Sequence, residues 1–243
     1  KYIDRLCKSF HLNTKLGIEI PGEGVPKIKQ TSDPNWSGIS LPWISYGYES
    51  LITPMQTLTF YNAVANDGKM VKPRFVKAVV DKGKIIKTFD TEVIDNSICS
   101  KATIEKAKKM MEGVVQNGTG IKLKTATYKI AGKTGTAQIA KNGAYKVAQK
   151  ASYQASFVGY FPADNPKYSC IALVSDPTGL LYYGGDVALP IFRELADKVY
   201  ATSLEMHKEV NVLEAPLALK APAMKGGSSD DLKKVLKKLN IQS

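Results

Sequence analysis

The sequence is poor in the residues that build covalent or metal scaffolds, with three cysteines and two histidines among 243 residues. Cys7, Cys99 and Cys170 are widely spaced and contain no Cys-x-x-Cys pair, which excludes a disulfide framework and a structural zinc site of the usual spacing. Cys170 lies in the apolar run Ser169-Cys170-Ile171-Ala172-Leu173-Val174 and reads as a buried, inert thiol. His11 and His207 stand far apart, isolated and exposed in this reading, so no metal and no cofactor is expected. Runs of ~18 apolar residues are also missing, so nothing in the chain reads as a membrane anchor or signal peptide. Acidic residues are in deficit: 22 Asp plus Glu face 34 Lys plus Arg, for a net charge of +12. Such a balance suits anionic surroundings, whether nucleic acid, a membrane surface or an anionic polymer. It comes with no basic segment interleaved with stacking aromatics and no zinc-finger or RNP-like signature, so nucleic acid is not the expected partner.

What is present is ordinary for a globular protein, 44% hydrophobic and 23% charged, and long enough for one large domain with a small appendage. Lys1-Tyr2-Ile3-Asp4-Arg5-Leu6 reads as the middle of a helix with no cap before it, as if cut from something longer. Residues 15 to 50, rich in Gly, Pro, Ser and Asn, read as a long irregular excursion anchored by Trp36 and Trp43. Thr53-Pro54-Met55-Gln56 predicts a helix start with a capping box, and Asn66-Asp67-Gly68 a stop. Strands are expected over Phe75 to Val80 and Lys84 to Phe89 around a Lys82-Gly83 turn, and a helix from Thr103 to Gln116 with Ile104, Ala107, Met111, Val114 and Val115 on one face. Tyr128 to Ile139, Tyr153 to Phe161 and Tyr168 to Ser175 then read as an antiparallel meander. A helix from about Val187 to Tyr200 follows a Gly184-Gly185-Asp186 cap, with Pro190 in its first turn and Val187, Ile191, Leu195 and Val199 facing one way. Helices on both sides of a run of strands imply an α+β fold, an antiparallel sheet with helices packed on it. Residues 201–222 read as a linker, and a last helix capped near Ser228 or Ser229 carries Leu232, Val235, Leu236 and Leu239.

The chemistry concentrates in Ala131-Gly132-Lys133-Thr134-Gly135-Thr136-Ala137-Gln138, inside the first strand of the meander. On an extended strand residues 133 and 135 point one way and 134 and 136 the other. Gly135 removes a side chain, so a ligand backbone is expected to approach closely and add as an extra strand. Lys133 brings a positive charge beside the hydroxyls of Thr134 and Thr136, a set suited to a carboxylate, and the Thr136 N–H is a candidate donor to a developing oxyanion. Lys-Thr-Gly alone is weak, and a bland strand with a glycine bulge would be its default reading.

The surroundings change that. The sequence resembles the transpeptidase domain of class B penicillin-binding proteins, whose third active-site motif is Lys-Thr-Gly. The match extends through Gly17-Ile18-Glu19-Ile20-Pro21-Gly22-Glu23, Gly47-Tyr48-Glu49-Ser50-Leu51-Ile52-Thr53-Pro54-Met55-Gln56, Gly118-Thr119-Gly120, Ser156-Phe157-Val158-Gly159-Tyr160-Phe161-Pro162-Ala163 and Gly184-Gly185-Asp186-Val187-Ala188-Leu189-Pro190-Ile191-Phe192. It covers roughly residues 1–200, the expected C-terminal part of a transpeptidase domain, while Ala221-Pro222-Ala223-Met224-Lys225-Gly226-Gly227 and the helix after it are similar to the opening of a PASTA repeat over 223–243. The resemblance implies the serine β-lactamase/penicillin-binding fold and acyl transfer on peptidoglycan stem peptides. It implies β-lactams and other cell-wall or division proteins as partners. It also implies an extracytoplasmic location, with an anchoring transmembrane helix outside this chain. Lys133, Thr134, Gly135, Thr136 and Gln138 would bind substrate or β-lactam, Lys133 and Thr136 would serve catalysis, and Tyr182, Tyr183 and Gly184 would border the cleft. The family acts through a serine in Ser-x-x-Lys with a Ser-x-Asn motif beside it, and no serine of this chain fits either pattern. Both motifs are expected before Lys1, and the chain alone is expected to be inactive. A serine β-lactamase or sensor domain, and a non-catalytic cell-wall-binding scaffold, are the alternatives.

Overall fold

In the computed structural model, residues 1–140, 146–147, 150–207 and 228–239 are described, and they divide into two units, Lys1–Met206 and His207–Ser243. The chain opens on α1 (Tyr2–Asp4), which passes into a π-helical turn, Arg5–Ser9. The stretch expected to be irregular is largely so, holding only β1 (Lys27–Ile28), α2 (Ser40–Ser45) and β2 (Ser50–Leu51), with β1 and β2 paired antiparallel. Its shape is held from within. The Glu23 carboxylate accepts the backbone N–H groups of Leu16, Gly17 and Ile18, and Trp36 packs against a small core of Ile3, Leu12, Ile28 and Ile44. His11 is not isolated, because Nε2 lies 3.1 Å from Asp95 Oδ2 and only 30% of its side chain is exposed.

Helix α3 (Pro54–Ala65) begins as its sequence dictates: Thr53 Oγ1 accepts from the Gln56 N–H at 3.1 Å while Gln56 Oε1 accepts from the Thr53 N–H at 3.1 Å. Next come β3 (Met70–Val71), the hairpin β4 (Ala78–Asp81) and β5 (Lys84–Thr88), and β6 (Val93–Asp95), which pairs with β3. Strand β4 starts at Ala78, after the expected Phe75. Helix α4 (Lys101–Asn117) starts ahead of Thr103 because Ser100 Oγ accepts the Thr103 N–H, and it buries Ile104, Met111 and Val115.

The frame of the first unit is the antiparallel sheet of β7 (Ala131–Ile139), β9 (Lys150–Phe161) and β10 (Tyr168–Ser175) in the order β10-β9-β7, with the short β8 (Lys146–Val147) paired to the start of β9. Register runs Lys133↔Val158, Gly135↔Ser156 and Gln138↔Tyr153, and among the described residues the other edge of β7 has no strand partner. Tyr128 falls short of the strand and instead stacks on Tyr200 at 4.3 Å and donates its hydroxyl to Asp197 at 2.7 Å. Burial and that carboxylate push its phenol well above the usual range, so it stays neutral.

Each face of the sheet carries its own core. On one, Ala131 and Tyr160 pack with Ala63, Ile104 and Met111 of α3 and α4. On the other, Phe157 and Phe161 meet α5 (Gly184–Thr202). Here the expected helix face is corrected. The residues buried are Ala188, Leu189, Phe192 and Ala196, whereas Ile191 and Leu195 are 45% and 47% exposed. Small side chains on the inner face let the helix sit close enough for Phe192 to meet Phe157 edge-on at 4.7 Å, and counting only the large aliphatics picked the neighbouring stripe. The helix also begins at Gly184 with Tyr183 as its cap, which places Pro190 inside it and beyond its first turn.

Cys170 is half-buried, and burial raises its thiol's pKa. In the second unit α6 (Ser229–Lys238) is capped by Ser228, whose Oγ accepts the Asp231 N–H; Leu236 is buried while Val235 and Leu239 are exposed. The expected linker over 201–222 begins within the last turn of α5, and most of it, with Ala221–Gly227, lies outside the described residues. No helix among the described residues is long and apolar enough to cross a membrane.

Candidate active site

The geometry at the free edge of β7 follows from parity. In an antiparallel ladder the N–H and C=O of one residue point to the same side, and the side alternates from residue to residue. The Gln138 N–H reaches Tyr48 Oη at 3.4 Å, and the Thr134 carbonyl accepts from Lys133 Nζ at 2.8 Å, so the even-numbered residues present their backbone groups away from β9. The Thr136 N–H shares that parity and faces the open edge. Lys133 and Thr136 are both exposed among the described residues.

The side chains sort by face. Lys133 stands on the side of α3 and α4, while Thr134 and Thr136 stand on the side of α5. The ammonium and the two hydroxyls thus stand on opposite faces, as the alternation of an extended strand predicts, and meet across the strand edge. Thr136 Oγ1 accepts from the Gly184 N–H at 3.0 Å, which leaves its own proton to donate outward. Thr134 Oγ1 lies 2.7 Å from Thr119 Oγ1, tying the Gly118-Thr119-Gly120 loop to the strand. A Cβ at Gly135 would come within 2.5 Å of Ser156 Oγ, so the missing side chain leaves room for that hydroxyl of the neighbouring strand.

At Gly184 the backbone itself requires glycine. A Cβ on it would lie 2.4 Å from the Ser156 carbonyl oxygen and 2.5 Å from that of Gly135, backbone atoms that cannot swing aside. This contact seats the start of α5 on β7 and aims the Gly184 N–H at Thr136. Gly184→Ala is therefore expected to destabilise the chain by ~1–3 kcal/mol, read as a lower denaturation midpoint at unchanged slope. A midpoint equal to the parent's would mean the helix start is not seated as described.

Tyr182 and Tyr183 stand at the same edge. Tyr182 stacks on Tyr153 at 4.1 Å and donates to the Tyr183 hydroxyl at 3.2 Å, while Gln138 Nε2 reaches Tyr153 Oη at 3.4 Å. The hydrogen bond to Tyr183, with the neighbouring phenols, pushes the Tyr182 pKa up to about 12, so Tyr182 is neutral at physiological pH. The structure thus brings Lys133, Thr134, Thr136, Gln138, Tyr182, Tyr183 and Gly184 to one strand edge. Tyr48, Thr119, Tyr153 and Ser156 belong to the same surroundings and were not singled out from the sequence. Three of them sit inside the similar segments, but only register and parity show what they touch. Among the described residues no group of His, Cys, Asp and Glu is placed to hold a metal.

A family model described as penicillin binding protein transpeptidase domain matches residues 1–197. Stage V sporulation protein D of Bacillus subtilis is 28% identical over 100% of this chain and 37% of its own length, and peptidoglycan D,D-transpeptidase FtsI of Buchnera aphidicola 30% identical over 80% and 32%. Penicillin-binding protein 3 of Mycobacterium tuberculosis, solved in complex with ampicillin, superposes with a TM-score of 0.67 at 28% identity, covering 91% of this chain and 49% of that one. The chain thus spans about a third of the length of these curated relatives. Its antiparallel sheet flanked by helices is the fold of these neighbours. With the match running along all of the sheet and both of its helical layers, the chain belongs to the transpeptidase domain family of class B penicillin-binding proteins.

Proposed function

We propose that this chain is the carboxylate-gripping part of a peptidoglycan D,D-transpeptidase that also binds β-lactams. The observation that carries the reading is the open edge of β7, where the Lys133 ammonium, the Thr136 hydroxyl and the outward Thr136 N–H converge on one extended site. A stem peptide ending in a free carboxylate adds to that edge as a short antiparallel strand. Lys133 and the threonine hydroxyls hold the carboxylate, and the Thr136 N–H donates to the penultimate carbonyl as it becomes tetrahedral. The nucleophilic serine, supplied by another part of the protein, forms an ester with that carbonyl while the terminal D-Ala leaves with the proton on its amine. An amine of a neighbouring stem then takes the acyl group and restores the hydroxyl. A β-lactam carries the same carboxylate beside a reactive amide and enters the same way. The ampicillin complex of the M. tuberculosis relative supports this arm.

This assignment places the working protein outside the cytoplasm, anchored by a membrane helix, among other proteins of wall synthesis or division. The names of the similar proteins, a stage V sporulation protein and a peptidoglycan D,D-transpeptidase, support a setting in wall synthesis. The segment from 223 onward is read as the opening of a PASTA-like module, supported by the capped helix α6.

Because no serine here fits Ser-x-x-Lys, the chain alone is expected to stay unlabelled by a fluorescent penicillin, whereas the protein carrying this segment with its nucleophile labels stoichiometrically. Labelling of the isolated chain on a serine would overturn the division of roles, and steady β-lactam turnover by the larger protein would favour a β-lactamase.

A further inference from the structure

Every residue of β5 is exposed, and so are Val79, Val80 and Asp81 of β4. Lys82 and Gly83, with φ of 46° and 80°, close this hairpin in a left-handed turn that suits a twisted two-stranded ribbon. At its base Arg74 donates to the Phe89 carbonyl. Among the described residues neither strand pairs with anything but the other, so each has an outer edge without a ladder partner.

Register sorts the side chains of the ribbon. Val79 lies opposite Lys87, Asp81 opposite Lys84 and Val80 opposite Ile85, with a register shift between Val79 and Val80. Cross-strand partners share a face, as do residues two apart on one strand. The shift therefore brings Lys84 and Lys87 to one face although they are three residues apart. Ala78, Val80, Ile85 and Thr88 form the other, where Val80 and Ile85 are 58% and 65% exposed. Neither lysine has an ion-pair partner among the described residues, and Lys87 Nζ stands 4.7 Å from the centre of the Phe89 ring.

This pattern selects what can cover the hairpin. A bilayer met by the apolar face would leave both lysines directed away from its headgroups, and a tip-first approach would bury Asp81, Lys82 and Lys84. A second copy paired along β5 would set lysine against lysine, on a chain whose net charge of +12 already repels its own kind. An extended segment of another protein, added as a third strand along β5, reaches both faces at once from the edge. We propose that the β4–β5 hairpin is a docking edge for such a segment, one in which acidic residues alternate with apolar ones. The acids meet Lys84 and Lys87, and the apolar side chains pack on Ile85 and extend the patch it forms with Val80. None of these residues belongs to the β7 site, so the docking edge stands or falls independently of the transpeptidase reading.

The test titrates the protein carrying this segment with fluorescent octapeptides and follows their anisotropy at low salt. The peptides are blocked at both ends, so no free carboxylate reaches Lys133. One alternates Glu with Val, a second alternates Lys with Val, and a third has four Glu followed by four Val. The alternating Glu peptide is expected to bind about tenfold or more tightly than either of the others, and to weaken in ~0.5 M salt as exposed charge pairs do. Lys84→Glu/Lys87→Glu should invert the order of the two alternating peptides. Methylating every backbone nitrogen of the Glu peptide, which keeps its side chains and removes the ladder, should lower its affinity to that of the block peptide. Equal affinity for the alternating and block peptides, an unchanged preference in the double variant, or full binding by the methylated peptide would each overturn the docking edge. So would binding to phosphatidylglycerol vesicles with no preference among the peptides, which points to a lipid surface. A concentration-dependent dimer that the double variant abolishes would also overturn it, in favour of a second copy.

Discussion

Replacing Lys133 by alanine in the protein that carries this segment should slow acylation by benzylpenicillin at least a hundredfold, the ~3–4 kcal/mol typical of a lost charge-stabilising contact in an acyl-transfer transition state. The size follows from where the ammonium stands. Lys133 is exposed on the open edge, and among the described residues its Nζ donates to the carbonyl of the next residue, so little of its attraction is spent inside the chain. For the same reason its removal should change unfolding free energy by no more than ~0.5 kcal/mol, which separates a site effect from a folding effect. Lys133→Arg should recover part of the rate, since it keeps the charge while changing reach and geometry. An unaltered acylation rate in the alanine variant would take Lys133 out of the site.

Phe192→Ala is expected to cost ~3–5 kcal/mol of stability, read from denaturant unfolding of this chain. Phe192 is fully buried, meets Phe157 edge-on at 4.7 Å and stands perpendicular to Phe161 at 5.9 Å, so truncation leaves a cavity between helix and sheet. The neighbouring Ile191 provides the control. It is 45% exposed, and Ile191→Ala should stay below ~1 kcal/mol because most of its apolar area is already in water. If the two variants exchanged ranks, the inner face of α5 would be the stripe of large aliphatics after all. The loss at Phe192 should also reach the site, since α5 carries the Gly184 N–H that holds Thr136.

Much of the architecture was legible because local signals agreed with the final packing. Thr53 and Gln56 cap α3 wherever the rest of the chain lies, and the alternation through Tyr168 to Ser175 matched its strand end to end. The readings that failed concern which side an element turns toward its neighbours. The inner face of α5 is decided by how closely the helix approaches Phe157, and periodicity alone leaves adjacent stripes nearly equivalent. Register adds what sequence cannot show at Gly135: a missing side chain is visible in sequence, but that Ser156 Oγ stands beside it depends on how β7 pairs with β9.

By itself the sequence determined the order of helices and strands, the family, the strand that bears Lys-Thr-Gly, and the lack of a nucleophile at Ser-x-x-Lys spacing. These are local patterns, written in neighbouring residues. Only the tertiary structure decided that β7 is an edge strand, that the Thr136 N–H points outward while its hydroxyl is aimed by Gly184, and that Tyr48 takes the Gln138 N–H at the far end. Those facts depend on which strand stays unpaired and on backbone parity, and neither is encoded in any short stretch of chain.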